Sequence, residues 1–149
     1  MLAIKKILCP TDFSEPSLKG LDYAVEMATL FRAELSVVFV LPILPASAKN
    51  PNLHFEIPEY ERIIHKDSEQ QLKAIISKRV PKNLKVRTLI GHGNPAHEIV
   101  RLAEEEKVDL IVIATHGHTG FHHLVVGSVA EKVIRLAHCP VFAVREPRK

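Results

Sequence analysis

The sequence predicts an α/β fold: a Rossmann-like, doubly wound sandwich with a five-stranded parallel sheet and four helices. Three observations carry this. Apolar runs of strand length alternate along the chain with stretches whose apolar residues recur at helical spacing. Two of the runs, LSVVFVL at 35–41 and LIVIA at 110–114, are apolar almost throughout, the pattern of a strand covered on both faces. The length of 149 residues suits one domain with helices on both sides of a sheet, so residues 1–149 are expected to form a single domain.

From the N-terminus, residues 4–9 read as a strand closed by Pro10 and Thr11, which leaves Asp12 just past its carboxyl end. Ser14 is placed to cap a helix over 15–31, with Pro16 in its first turn and Leu21, Ala24, Val25, Ala28 and Phe31 recurring at helical spacing. Residues 35–41 follow as a central strand. Residues 42–58 hold four of the ten prolines and read as a long irregular connection. Tyr60, Ile63, Ile64, Leu72, Ile75 and Ile76 mark a second, amphipathic surface helix that ends near Val80. Residues 85–90 form a shorter, more polar strand, expected nearer the sheet edge. Residues 91–94 form a turn, and Pro95 opens a third helix with Ala96, Ile99, Val100 and Ala103 inward. Strand 110–114, a loop with three glycines, a helix over 128–137 and a last strand at 140–144 complete the chain. Parallel strands joined by helices require right-handed crossovers. Ligands of such sheets bind beyond the carboxyl ends of the strands, where the strand order reverses.

Twenty basic and 17 acidic residues give a net charge of +3, spread along the chain, which argues against nucleic acid as a partner. The longest apolar run is short of the roughly 20 residues a membrane helix needs, and prolines interrupt it. The N-terminal MLAIKKILCP carries two lysines in its apolar run and no small-residue cleavage site, so it does not read as a secretory signal. These features predict a cytoplasmic protein without a membrane partner. Cys9 and Cys139 both border apolar strands, where a free thiol behaves as a small hydrophobe rather than part of a disulfide or zinc framework.

The motifs narrow the chemistry. GHGNPA at 91–96 formally matches a dinucleotide pattern, but it is not in the first strand-to-helix turn, and the following strand ends in Ala114 rather than an acid. A plain turn is the better reading. No GxxxxGK[ST] occurs, which excludes P-loop chemistry, and Ser128 lies in GSVAE rather than GxSxG, so it reads as a helix N-cap and not as a nucleophile. His116, His118, His122 and His123 crowd the loop after 114 without a carboxylate or Cys to complete a metal site, and form instead a polar rim that favours anions. That loop leaves a buried strand and ends at a helix N-terminus, so its backbone N–H groups suit phosphate.

At this point a resemblance is plain. ILCPTDFSEPS, GNPAHEIVRLAEEEKVDLIVIATHG and ATHGHTGFHHLVVGSVAEKVIRLAHCPVFAVR resemble, in order and spacing, the signatures of the universal stress protein family. The resemblance covers nearly the whole chain, with only residues 42–58 lacking a counterpart. It implies the five-stranded sandwich argued above, paired as a homodimer through the last strand, here Pro140 to Val144. The family's ATP-binding members carry GxxG, nine residues, then G[ST], which falls here on Ala114, Gly117, Gly127 and Ser128 with the first glycine replaced. By resemblance, triphosphate and ribose lie along Gly117, Gly127, Ser128 and Val129, and adenine lies near Pro10, Asp12 and Val40. Mg²⁺ enters with the triphosphate, through phosphates and water.

Two outcomes are open for Ala114. If the position needs a left-handed backbone, Ala costs about 1 to 2 kcal/mol, tenfold or more in a coupled affinity. If it is the extended end of a strand, Ala only adds a methyl, and LIVIA reads as strand. The reading that follows is an ATP-binding stress or regulatory protein, not a dedicated enzyme, with no catalytic residue and no protein metal site. The alternatives are a dimeric scaffold of the same fold without nucleotide, favoured by Ala114, and a slow ATPase using His116 or His118.

Overall fold

The computed structural model describes residues 2–43, 57–116 and 126–146. The elements in chain order are β1 (Lys6–Pro10), α1 (Glu15–Phe31), β2 (Glu34–Leu41), α2 (Ile57–Arg79), β3 (Val86–His92), α3 (Pro95–Glu105), β4 (Leu110–Ala114), α4 (Ser128–Leu136) and β5 (Val141–Val144). All strand pairs are parallel, in the order β3-β2-β1-β4-β5. The five-stranded parallel sheet and four helices are therefore those the sequence predicts.

Alternation along the strands sorts the core into two layers. Ile7, Cys9, Leu35, Val37, Leu110 and Val112 pack with Leu21, Ala24 and Ala28 of α1 and with Leu72 of α2. Leu8, Val38, Val40, Ile111 and Ile113 face the other way, against Ala96, Ile99 and Ala103 of α3 and Ala130 and Val133 of α4. Because successive side chains of a strand point to opposite faces, Ile7 and Leu8 serve different layers. That is why these strands read as continuous apolar runs.

Capping explains where the helices begin. Ser14 Oγ accepts the backbone N–H of Ser17 at 3.3 Å, and Asn94 Oδ1 accepts that of His97 at 3.2 Å. Each satisfies one of the donors a helix start leaves unpaired. At α1's other end Arg32 takes a left-handed conformation and its N–H bonds the Thr29 carbonyl.

The structure departs from the sequence reading at several points, among them Val100 of α3, which is half-buried while Leu102 takes the inward place. Strand β3 is seven residues long and runs through Gly91 to His92, so the turn is confined to Gly93 and Asn94. Its edge position is as expected; its length follows from continuous pairing with β2, from Leu35↔Val86 to Leu41↔His92. The N-cap of α4 is Gly127, not Ser128: Gly127 is extended, its carbonyl accepts Glu131 N–H at 3.0 Å, and no side chain caps the helix. Tyr60 and Ile63 of α2 stay exposed, and the helix is anchored by Leu72, with Ile75 and Ile76 packed beside it. Strand β1 includes Pro10, at the register of Val38.

Candidate functional site

The strand order reverses between β1 and β4, whose onward connections leave in opposite directions across the sheet. A cleft of about 300 Å³ opens at the carboxyl ends of these two strands. Its walls come from the ends of β1, β2 and β4 and from the N-terminal turns of α3 and α4. Seven of the eight residues expected at a binding site line it: Pro10, Asp12, Val40, Ala114, Gly127, Ser128 and Val129. Gly117, with His118, His122 and His123, lies outside the described residues.

The loop between β1 and α1 holds Asp12 through a network of short-range bonds. Thr11 Oγ1 meets Ser17 Oγ at 2.9 Å and accepts Phe13 N–H at 3.0 Å, while Thr11 N–H bonds the Val38 carbonyl. Asp12 Oδ1 accepts both the N–H and the hydroxyl of Ser14. The turn forces Phe13 to a φ of 65°, a conformation that costs a non-glycine residue about 1 kcal/mol or more. Its ring sits 4.7 Å from that of Phe39, which contributes to holding it there. This strained residue beside the cleft has no sequence signal, since nothing in PTDFSEP marks which residue turns left-handed.

The opposite wall is built on Thr115. Its N–H bonds the Val144 carbonyl at 2.9 Å and its carbonyl accepts Gly127 N–H at 2.6 Å, which ties the end of β5 and the start of α4 to one residue. A Cβ on Gly127 would lie 2.9 Å from that carbonyl oxygen, so only glycine fits. The first N–H groups of α4, with no side-chain cap, are thereby set at the rim of the cleft. Such a helix start favours an anion by about 0.3 to 1 kcal/mol.

Ala114 is extended and pairs with Val144, and it is not among the left-handed residues. The strand alternation turns its methyl toward α1. There Gly20 approaches so closely that a Cβ on it would sit 3.4 Å from the Ala114 Cβ. The residue lines the cleft, but its methyl contributes to the α1 layer. Of the two conformations left open, the extended one is found.

The sequence reading missed the apolar floor and end wall of the cleft: Val38, Ile99 and Ile113, with Pro95 at the start of α3. Ile99 and Ile113 were legible only as core; the signal for their second role is their nearness to a helix start and a strand end. It also left His116 without a specific partner. His116 Nδ1 is 3.0 Å from Thr115 Oγ1, and Nε2 is the one buried side-chain nitrogen or oxygen among the described residues with no hydrogen-bond partner. Among the described residues no three His, Cys, Asp or Glu side chains are grouped to hold a metal, and no helix is long and apolar enough to cross a membrane. Cys9 is buried, and burial, with the charge of Asp22 adding, pushes its thiol up to about 12.

The sequence profile described as the universal stress protein family matches residues 3–145. Universal stress protein MJ0531 of Methanocaldococcus jannaschii is 37% identical over 145 residues, covering 97% of this chain and 84% of the relative. The solved structure of MJ0577 from the same organism is 31% identical, covers 99% of both chains and superposes with a TM-score of 0.83. A universal stress protein of Archaeoglobus fulgidus solved in complex with dAMP shares the fold, with a TM-score of 0.63 at 23% identity over 96% of this chain and 98% of its own. The match from end to end, on a fold with the same architecture, identifies this chain as a member of the universal stress protein family.

Proposed function

We propose that the chain binds ATP, with its Mg²⁺, in the cleft between β1 and β4 and acts as a nucleotide-dependent regulatory homodimer of one domain rather than as an enzyme. One observation carries the reading. The residues expected from sequence at three separated stretches, around Pro10 to Asp12, at Val40 and from Gly127 to Val129, converge on one cleft. The cleft suits the ligand in two parts. Val38, Val40, Ile99 and Ile113 offer a base an apolar slot, and the uncapped start of α4 offers phosphate oxygens N–H donors. Asp12, on the β1 side of the cleft, faces the nucleoside in this reading. The shared fold accommodates an adenine nucleotide in the Archaeoglobus fulgidus protein.

Mg²⁺ fits as the companion of the triphosphate. Asp12 is the only carboxylate among the described lining residues, and Ser14 already engages one of its oxygens. The ion would therefore be held by phosphates and water, its common arrangement at nucleotide sites. Two free cysteines suit the reducing cytoplasm.

Dimerisation through β5 is supported by the edge it presents. The strand ends the sheet beyond β4, and Phe142 and Ala143 are exposed on it. An open edge with an exposed aromatic is a template for pairing with a second chain. Isothermal titration with MgATP tests the ligand and sedimentation equilibrium tests the assembly. One site per chain, with a Kd below about 1 mM, and a mass twice 16.7 kDa are expected. No heat at millimolar MgATP sinks the nucleotide reading, and a monomer at high concentration sinks the dimer.

A further inference from the structure

We propose that His65 of α2 and His92 at the end of β3 form a two-histidine site for a divalent transition ion of the Zn²⁺ class, which pins the first half of α2 to the sheet. The inference is independent of the nucleotide reading, since neither residue lines the main cleft.

The two rings come from separate elements and meet at the carboxyl end of β3. Their centroids lie 5.6 Å apart and their planes 12° from parallel. Two imidazoles that share one ion, each through a nitrogen about 2 Å from it, hold their ring centres roughly 5 to 6 Å apart. The spacing therefore asks for no movement of either backbone; rotation about the side-chain bonds aims the nitrogens. His92 stands on a fixed base, because it pairs with Leu41 and its N–H donates to Glu98 Oε2 at 3.2 Å. His65 Nδ1 is 3.8 Å from Glu69 Oε1, one helical turn on. That carboxylate favours the proton on Nδ1 and leaves the Nε2 lone pair for a metal, the arrangement common behind metal-bound histidines.

Packing does not account for the pair. His92 is exposed and His65 half-buried, so stacking removes little surface from water. Residues Pro58 to Ile63 of α2 are exposed as well, and Ile64 and His65 are the first of the helix to find cover. Firm burial begins only at Ser68 and Leu72. An ion shared by the two rings staples this loosely held half to β3. Two protein ligands fall short of the three-residue grouping of a closed site, so water completes the coordination sphere. Imidazole nitrogen selects such ions over Mg²⁺, which prefers oxygen.

The test titrates nucleotide-free wild type, His65→Gln and His92→Gln with ZnCl₂ and with MgCl₂ by calorimetry. In the wild type it also follows the histidine ring nitrogens by NMR and amide exchange along α2. Zn²⁺ is expected to bind the wild type more tightly than Mg²⁺, and each variant to lose about tenfold or more of the Zn²⁺ affinity. The His65 and His92 ring signals should shift together with the first equivalent of Zn²⁺, and exchange around His65 should slow. Zn²⁺ affinity equal in the wild type and both variants, or lost in only one of them, overturns the proposal and assigns the ion to other histidines. Ring signals of the pair indifferent to Zn²⁺ overturn it as well. The NMR and exchange readouts use the wild type alone, so they decide the matter even if a variant fails to fold.

Discussion

Replacing Gly127 with alanine isolates the contact on which the α4 end of the cleft depends. The new Cβ would stand 2.9 Å from the Thr115 carbonyl oxygen, a distance that such pairs essentially never show. The neighbour is backbone, fixed on its other side by the Thr115 N–H to Val144 carbonyl bond, so it cannot swing away. The start of α4 must move instead, which weakens the 2.6 Å bond from Gly127 N–H to Thr115. Overpacking of this kind costs about 1 to 3 kcal/mol, and the weakened bond about 1 more. A central value of about 3 kcal/mol, at roughly 3 °C per kcal/mol for a chain of this size, lowers Tm by about 9 °C. Differential scanning calorimetry reads this against Ser128→Ala as a control. Ser128 is exposed and makes no capping bond, so its replacement should change stability by less than about 0.5 kcal/mol. If the two variants melt together, the close approach at Gly127 is not what sets the helix start. A larger loss in Ser128→Ala would restore serine as the cap.

Three further outcomes are expected. Ala114→Gly restores the family's first glycine, yet should leave MgATP affinity within about twofold, because the methyl lies toward Gly20; it should destabilise the fold by about 1 kcal/mol through the loss of a packed methyl in a strand. A tenfold gain in affinity on titration would show that the methyl does obstruct the site. Glu34 is held below the usual carboxylate range first by its hydrogen bond from Lys85, with the charges of Lys85 and Arg87 adding. Its folded pKa is depressed, so its contribution is complete above the ordinary value of 4.5 and is lost as pH falls through the lower folded value. Urea unfolding should show Glu34→Gln less stable by about 1 kcal/mol at neutral pH, with the difference shrinking as pH is lowered below 4.5; a gap that stays constant as the carboxylate is protonated contradicts the ion-pair origin. Native Cys9, buried with its thiol pushed up to about 12, should resist a maleimide at pH 8 while Cys139 reacts, and urea should abolish the contrast.

The strands were legible because burial on both faces leaves an unbroken apolar run, as in LSVVFVL and LIVIA, and the first and third helices because Ser14 reads as a cap and Pro16 and Pro95 as first-turn residues; that Asn94 caps α3 was not read from the sequence. The cleft residues were legible by resemblance, and the structure brings seven of them together. What escaped is what depends on distance between remote segments. Gly127 rather than Ser128 caps α4 because a carbonyl twelve residues earlier presses against it, and that contact leaves no mark on composition. Phe13 turns left-handed because Thr11 and Phe39 hold it there. Tyr60 and Ile63 continue α2's apolar spacing but remain exposed, since periodicity does not say where the underlying sheet ends.

The central place of β1 bears on how the chain is made. One neighbour, β2, follows after a single helix, whereas the other, β4, comes about 100 residues later, where the Asp109 carboxylate accepts the N–H groups of Lys5 and Lys6. During synthesis β1 through β3 can assemble first. At roughly 5 to 20 residues per second, one side of β1 stays unpaired for about 5 to 20 s after β1 itself is made. That open side is the backbone edge of β1 at Ile7 and Leu8, which finds its partners only when Leu110 and Ile111 arrive. Ribosome-bound chains stopped before residue 110 should accordingly be cut readily by protease and bound by chaperones, and those released after β5 should not.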